Sequence, residues 1–419
     1  MLKKYAVVAG CVLGLAVGYA PIFAYTLPIL IKPLASQAGW DRTVISSGIS
    51  AAMLCVAFFS PCCGYLIDKF GAARVIHWLS LGFGGIVIAF SSLQPSIPMF
   101  LTLCALAGLF GCATTPLGYL SILPKWFDTR LGFAMGFAML GIGLGLAVLP
   151  AIAVALLQHL GWQKAYVILG LIALSASLVA RLIFKTPLPR TASAQRAEHE
   201  VGVDAREATS SAAFWIFAVC IFATTTALAG CGLHLTSMLT DKGASLSSAV
   251  NALSIMGLSL AIGRIGTGYL LDRLPTRLVA SLTFAIASIG VGILSSQSST
   301  IVTVWIGAAC LGFSQGAEGD LTAYAVRRYF GSRAYGKIYG LLFSAFNLGV
   351  VIGPLAMGIA FDRSGSYDLP LRIFSVCTLA ATVLVLFAGR PKFSPLGTAS
   401  SNPPIRGGAR TGDAPAGGK

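Results

Sequence analysis

The chain has 419 residues, of which 56% are hydrophobic and 10% are charged, and its formal net charge is +15. Soluble domains carry about 25% charged residues, so this composition excludes an ordinary soluble protein. Uncharged stretches recur along the chain, and roughly 20 apolar residues are enough to span the hydrocarbon core of a bilayer. The composition therefore indicates an integral membrane protein.

Twelve membrane-spanning helices are predicted in chain order, which makes the fold class an all-α integral membrane protein. The first six lie at 5–31, 43–67, two within 75–124 separated by SSLQPSIP, 131–158 and 165–184. The second six lie at 212–237, 248–271, two within 278–326 separated by SSQSST, 337–360 and 371–389. The stretch 5–31 is too long for a signal-peptide core, so it is assigned to the first helix.

Basic residues collect in alternate loops between these predicted helices. They are Lys3, Lys4, Lys69, Arg74, Lys125, Arg130, Arg273, Arg277, Arg327, Arg328, Arg333 and Lys337. Cytoplasmic loops of membrane proteins carry such an excess, which predicts that both termini are cytoplasmic and, for a bacterial protein, that it lies in the inner membrane. A nucleic-acid partner is not expected, because no soluble basic face is present.

Enzymatic and metal sites are not expected in this chain. Its histidines, at positions 77, 159, 199 and 234, are scattered, and its ten cysteines fall within predicted helices without the spacing of zinc ligands. No nucleotide-binding motif occurs, which excludes an ATP-driven motor within the chain. We therefore expect no catalytic residue, no cofactor and no metal.

An internal repeat organises the sequence. GYLIDKFGAARV (64–75) recurs as GYLLDRLPTRLV (268–279), and KWFDTRLGFAMGFAMLGIGLGLAVLP (125–150) recurs as RYFGSRAYGKIYGLLFSAFNLGVVIGP (328–354). Two matches at nearly the same offset predict two six-helix halves, 1–185 and 212–390. The polar segment 186–211 between them is predicted to be a cytoplasmic linker, and the Gly- and Pro-rich segment 391–419 a disordered tail.

The repeated loop carries a family resemblance. Gly64, Asp68, Lys69 and Gly71 resemble the signature loop of the major facilitator superfamily, and Gly268, Asp272 and Arg273 form a weaker second copy. This chain has Ala72 and Ala73 where a basic residue commonly follows, so Arg74 is expected to substitute. The resemblance implies a transporter that alternates access to a central cavity between its halves. Glycine pairs four residues apart, such as Gly132 and Gly136, suit either a hinge or static packing.

Three charged residues are predicted inside the membrane: Arg264, Glu318 and Asp320. A loop position for the two acids is an alternative, but the repeat maps them into an uncharged helix. Counted at 1.5 Å per residue from the flanking charges, all three lie roughly 10–14 Å from the membrane boundary. Charges at this depth indicate function. The two acids point to different sides of their helix, with Glu318 slightly favoured for the cavity.

The chemistry of an arginine leaves two roles open for Arg264. Its planar guanidinium can anchor a small carboxylate anion, or it can form a permanent salt bridge with Glu318 or Asp320. Both can coexist if substrate displaces the internal acid.

A finer resemblance supports the anchor. TLPILIKPLASQAGWDRTVIS (26–46), AIGRIGTGYLLDR (261–273) and FDRSGSY (361–367) are similar to segments of the monocarboxylate and oxalate/formate porters. The resemblance implies that Arg264 is the substrate arginine. This chain departs from those families at three positions. It has Leu260 where the animal monocarboxylate carriers have a proton-binding Asp, and Tyr25 where they have a lysine. It has Phe346 where the oxalate/formate exchanger has a second cationic residue. A single cationic side chain in the cavity suits a substrate with one negative charge better than a substrate with two.

The resemblance also implies that helices 1, 4 and 11 line the cavity, whereas the proton site of the animal carriers does not carry over to this chain. Substrate contacts are expected from Tyr19, Tyr25, Thr115, Tyr119 and Asn347. Proton coupling is assigned to Glu318, Asp320 or His234, although His234 also fits a hydrogen-bonded position near a helix end. The predicted function is transport of a small organic anion, most simply a monocarboxylate such as lactate or pyruvate, coupled to protons or to a counter-anion and carried out by a monomer. Alternatives are efflux of drugs or cations and a transporter-like sensor.

Overall fold

The computed structural model describes residues 2–30, 33, 39–40, 42–127, 130–184, 202–243, 245–296, 300–391 and 393. These residues are almost entirely helical, as expected where lipid offers no partner for exposed backbone groups. The long helices are α1 (Leu2–Ala16), α2 (Arg42–Phe70), α3 (Ala72–Ala89), α4 (Ile97–Gly111), α5 (131–160), α6 (162–184), α7 (Ala212–Asp241), α8 (Leu246–Leu271), α9 (Thr276–Ser295), α10 (Ile301–Phe330), α11 (Tyr335–Ser364) and α12 (Asp368–Leu384). The predicted all-α membrane fold with twelve helices is confirmed for the described part of the chain.

Hydropathy alone finds ten membrane-spanning stretches among the described residues. One of them, Leu131–Ser175, contains both α5 and α6, which meet at a bend where Gly161 has φ 81°. Helix α10 is long enough to span but carries Glu318 and Asp320 within it. Both acids therefore lie inside a continuous helix and not in a loop.

Two helices that the sequence predicts as continuous are broken. Helix α1 ends at Ala16 and is followed by a π-helical turn, Ala20–Ala24. Helix α4 ends at Gly111, and Thr115 adopts extended backbone with φ −87° and ψ 177° before Pro116. Proline lacks an N–H group and disfavours helical backbone in the residue before it, which accounts for the second break.

The two breaks pack against each other. The N–H of Tyr19 donates to Thr114 Oγ1 at 2.9 Å, which satisfies a backbone donor that the break in α1 leaves free. Gly18 permits this approach, because a Cβ atom there would lie 2.4 Å from the Thr114 carbonyl oxygen. The first half thus contains a bent pair of helices bonded to each other inside the membrane.

The two halves meet through α2 with α11 and through α5 with α8. A Cβ atom on Gly64 would lie 2.0 Å from the Gly336 carbonyl oxygen, and one on Gly132 would lie 2.4 Å from that of Gly268. Small residues at helix crossings allow this close packing. We call the end of the bundle that holds the repeated loops the Asp68 end. The halves are in contact there, and the contact continues inward to Ser344, whose hydroxyl donates to the Ala57 carbonyl at 2.5 Å.

The described part of the predicted linker lies against the second half. The N–H of Val203 donates to the Phe330 carbonyl at 2.9 Å, and Asp204 forms an ion pair with Arg333 at 3.2 Å. A short helix, Ala205–Thr209, then leads into α7. The remainder of the linker, and the tail beyond residue 393, lie outside the described residues, so the division of the chain at 185 and 391 stays a prediction.

Candidate substrate and coupling site

Arg264 lies on α8 and is buried, with 9% of its surface exposed. Its Nη1 donates a hydrogen bond to the carbonyl oxygen of Met139 on α5, in the other half. Its Nε has no hydrogen-bond partner among the described residues. The guanidinium is therefore held by a neutral group and keeps a donor available.

Asp320 is the acid that faces this arginine. Its side chain is fully buried, and neither carboxylate oxygen has a hydrogen-bond partner within the described chain. The charges of Asp320 and Arg264 interact electrostatically, but their side chains form no hydrogen bond with each other. The permanent salt bridge, one of the two roles that the sequence leaves open for Arg264, is thus not formed with Asp320 in this conformation.

Glu318 points the other way, toward α7. Thr225 Oγ1 on that helix donates to Glu318 Oε1, and the carboxylate is buried. Two residues along a helix differ in direction by about 200°, so the two acids cannot share a partner. The sequence favoured Glu318 for the cavity, but α7 flanks one side of α10 and α8 the other, and Asp320 is the residue on the α8 side.

Tyr25 is the candidate from the first half that comes near the arginine. Tyr25 directly follows the π-helical turn, and its N–H donates a hydrogen bond to the Ala20 carbonyl at 3.2 Å. Its side chain is 53% exposed and interacts electrostatically with Arg264. A π-helical turn inserts one residue into a helix, and such turns are frequent at functional sites. Tyr25 therefore offers an accessible side chain in the first half, at the end of the π-helical turn.

The other predicted substrate contacts lie elsewhere. Tyr19 packs against Phe23 and Phe83 with its hydroxyl unpartnered, and the Tyr119 ring lies against Gly14. Thr115 Oγ1 donates to the Cys112 carbonyl at 2.6 Å, and Asn347 Nδ2 donates to the Phe343 carbonyl at 2.7 Å. All four side chains are buried. Of the six candidates, Arg264 and Tyr25 are thus the pair whose charges influence each other.

His234 lies near the end of α7 that is remote from the Asp68 end. One ring nitrogen, Nε2, lies 3.2 Å from the Pro354 carbonyl oxygen, and Nδ1 lies 3.4 Å from the Tyr367 hydroxyl. These contacts match the hydrogen-bonded helix-end position.

Sequence reasoning missed three residues around Asp320. Gly136 on α5 packs against it, since a Cβ atom there would lie 3.3 Å from Asp320 Oδ2. Met139 supplies the carbonyl for Arg264. Tyr339 on α11 is fully buried, interacts electrostatically with Asp320 and has no partner for its hydroxyl in the described chain. For Gly136 the sequence offered a signal, its spacing of four residues from Gly132. The backbone carbonyl of Met139 and the uncharged phenol of Tyr339 offer no such signal.

The signature-loop residues lie at the Asp68 end. Asp68 accepts hydrogen bonds from the N–H groups of Gly336 and Lys337 at 2.7 and 2.8 Å. Asp272 accepts from those of Gly132 and Phe133 at 2.9 and 3.0 Å. The surrounding residues take supporting positions: Gly64 and Gly268 at the helix crossings, Gly71 with φ 87°, Arg74 on the Phe70 carbonyl, and Lys69 and Arg273 over the rings of Phe70 and Tyr269.

Twelve membrane helices in two contacting halves, with buried charges at their junction, define a membrane transporter. A family model described as the Major Facilitator Superfamily matches residues 11–323. The chain belongs to this superfamily, and it is a transporter and not an enzyme.

Relatives and solved structures agree with this assignment. The uncharacterized MFS-type transporter YhjX of Escherichia coli (strain K12) is 26% identical over 344 residues, covering 78% of this chain and 81% of that protein. Monocarboxylate transporter 13 of Rattus norvegicus is 26% identical, covering 84% and 80%, and the oxalate:formate antiporter of Oxalobacter formigenes is 22% identical, covering 88% of each. The structure of FucP in the outward conformation has a TM-score of 0.68 at 16% identity, covering 92% of this chain and 100% of that one.

Proposed function

We propose that this chain transports a small monocarboxylate, of the lactate or pyruvate type, by alternating access between its two halves. We further propose that the movement is coupled to protons or to exchange of a second anion. The observation that carries the proposal is the environment of Arg264, a buried cation. Its Nη1 donates to a neutral carbonyl, and its Nε has no partner in the part of the chain that the structure describes.

A carboxylate is the ligand that best fits this environment. A buried charge is costly unless it is paired, and a carboxylate accepts two parallel bonds from a guanidinium fork. Tyr25 could add one hydrogen bond from the other half, because it is exposed and close enough to interact with Arg264. One arginine and one phenol suit a single negative charge.

The relatives support the same substrate class. Proteins named monocarboxylate transporter 13, monocarboxylate transporter 4 and oxalate:formate antiporter match this chain over 84%, 91% and 88% of its length. The names of these relatives give small carboxylates as their substrates.

Asp320 is proposed as the coupling residue. It is the counter-charge of Arg264, so a substrate anion that binds the arginine would compete with it. Glu318, already bonded to Thr225, is the second candidate. Protonation of Asp320 would remove this competition and favour binding of the anion.

The orientation follows from the basic loops. Arg273, Arg327, Arg328, Arg333 and Lys337 all lie at the Asp68 end, which we therefore propose to be cytoplasmic. The described conformation, with its halves in contact at that end, then corresponds to a transporter closed toward the cytoplasm. The inner membrane of a bacterium and a monomeric state remain part of the proposal.

Uptake of radiolabelled lactate and pyruvate into proteoliposomes tests the function. We expect Arg264→Ala to abolish uptake and Arg264→Lys, which keeps the charge but loses the fork, to retain a small part of it. Thermal unfolding of both variants controls for folding. Unchanged uptake of every carboxylate by Arg264→Ala would reject the anchor.

A thermal-shift screen of carboxylates with one to three charges, together with organic cations, tests the substrate class without a prior choice. Stabilisation by monocarboxylates that is lost in Arg264→Ala supports the proposal. Stabilisation by cations and by no carboxylate would instead favour a drug or cation efflux carrier.

A further inference from the structure

Two lysine side chains from different halves lie over the same aromatic ring at the Asp68 end. Lys69 Nζ, near the end of α2, is 5.8 Å from the centroid of the Tyr65 ring. Lys337 Nζ, in the first turn of α11, is also 5.8 Å from that centroid. The two ammonium groups are therefore no more than twice this distance apart. We call the surface formed by Lys69, Lys337 and Tyr65 the two-lysine site.

The charge around the two-lysine site is mainly positive. Arg74 adds a third cation, since its Nη1 donates to the carbonyl of Phe70, the residue after Lys69. Asp68 is the neighbouring acid, and both of its carboxylate oxygens accept hydrogen bonds from backbone N–H groups at the start of α11. Like charges repel each other, and an anion bound between the lysines would offset this repulsion.

The two-lysine site lies at the level of the lipid headgroups. The apolar stretch that contains most of α2 ends at Phe70, and the stretch that forms α11 begins at Tyr335. Lys69 and Lys337 each lie within two residues of these ends. Tyr65 is 46% exposed, and exposed tyrosines concentrate at the boundary between lipid and water. A phosphate group at this level would belong to a phospholipid.

The repeat-related position in the other junction between the halves lacks the lysine pair. There Arg273 lies over Tyr269, with its Cζ 3.9 Å from the ring centroid. The residue that corresponds to Lys337 is Phe133, since the N–H groups of both residues donate to the repeat-related aspartates. One cation and a second aromatic residue thus take the place of two cations.

We propose that the two-lysine site binds the phosphate of an anionic phospholipid, such as phosphatidylglycerol. Lys69 and Lys337 donate hydrogen bonds to the phosphate oxygens, because each ammonium group carries three donors. The exposed ring of Tyr65 contacts the part of the lipid next to its headgroup. A headgroup with its own ammonium group, such as that of phosphatidylcholine, is disfavoured, because it adds a cation to a surface that already holds three.

Lipid binding to the purified, full-length protein tests the site. Native mass spectrometry of the delipidated protein in detergent measures the fraction that carries phosphatidylglycerol as the lipid concentration is raised. In the double variant Lys69→Gln with Lys337→Gln, we expect an affinity about thirtyfold lower, which corresponds to about 1 kcal/mol for each lysine. The double variant Lys69→Arg with Lys337→Arg keeps both charges and should retain the affinity of the wild type.

The matched control removes two exposed bases at the opposite end of the bundle, Lys164→Gln with Arg363→Gln, and should bind the lipid as the wild type does. Arg273→Gln tests the repeat-related position and should lower the affinity less than about threefold. Equal affinity in the wild type and in the double glutamine variant of Lys69 and Lys337 would overturn the site. An equal loss in Arg273→Gln or in the matched control would also overturn it.

The choice of ligand separates a phospholipid from other sources of phosphate. We expect phosphatidylcholine to bind less tightly than phosphatidylglycerol, and an excess of inorganic phosphate to leave the lipid bound. Displacement by inorganic phosphate would assign the site to a free anion and overturn the lipid. Equal binding of phosphatidylcholine would overturn the preference for an anionic headgroup. The assay uses no carboxylate substrate, so the lipid site and the proposed transport function can fail separately.

Discussion

Asp68, at the end of α2, accepts hydrogen bonds from the backbone N–H groups of Gly336 and Lys337 at the start of α11. The partners are 268 and 269 residues apart in the chain and belong to different halves. Asp272 makes the same contact with Gly132 and Phe133 at the start of α5. Because a helix N-terminus carries partial positive charge, the two carboxylates hold the halves together at this end by repeat-related contacts.

Removal of the charge at Asp68 should weaken this closure. Asp68→Asn keeps the shape but loses a favourable interaction with the α11 terminus worth about 0.3–2 kcal/mol. We expect a slower transport cycle in proteoliposomes, because the conformation closed at this end becomes less populated. Asp362→Asn, an exposed acid in the last turn of α11, is the control. A transport rate equal to wild type in Asp68→Asn would contradict a closing role.

The hydroxyl of Tyr25 should contribute to substrate affinity. Tyr25→Phe removes one hydrogen bond, typically about 0.5–1.5 kcal/mol, and is expected to raise the KM for the transported carboxylate by up to about tenfold. Tyr19→Phe is a matched control, since the Tyr19 hydroxyl is buried and unpartnered among the described residues. Equal KM values for the two variants would remove Tyr25 from the site.

Coupling should depend on the acid that faces Arg264. Asp320→Asn cannot release a proton, so uptake driven by an imposed pH gradient should fall to the level without a gradient. Substrate exchange at equal pH should persist in this variant. Glu318→Gln on the same helix is the control. If Glu318→Gln were uncoupled and Asp320→Asn remained fully coupled, the coupling role would belong to Glu318 and not to Asp320.

The contact between Thr225 and Glu318 should contribute to stability. Thr225→Val leaves a buried carboxyl group without its donor, at a cost of about 1–3 kcal/mol, and thermal unfolding in detergent should occur at a lower temperature. The losses of unfolding free energy are measured in Thr225→Val, in Glu318→Gln and in the double variant. The sum of the losses in the two single variants should exceed the loss in the double variant. Strict additivity would show that the two side chains are not coupled.

The sequence predicted the helices, the two halves and the three buried charges, because these depend on apolar length, on repetition and on the rarity of charge in lipid. Pro116 could have signalled the break in α4. Pro21 could likewise have signalled the break in α1 at residues 17–19, because it has no N–H to donate to the carbonyl of Val17. The bond from the Tyr19 N–H to Thr114 has no local signal in the sequence. The choice between Glu318 and Asp320 likewise depended on which helices flank α10. Met139 acts through its carbonyl, a group that every residue carries.

The bonded breaks in α1 and α4 mean that the two halves, similar in sequence, have diverged in how they hold polar groups inside the membrane. In the first half two helices are bent, and the bond from the Tyr19 N–H to Thr114 joins the bends. In the second half the buried charges belong to the side chains of α8 and α10. If Tyr25 contacts substrate as proposed, substitutions in the first half are expected to alter substrate preference indirectly, by moving the π-helical turn that precedes it. Substitutions in the second half would act at the charge itself, so the first half offers the finer route for evolution to adjust selectivity.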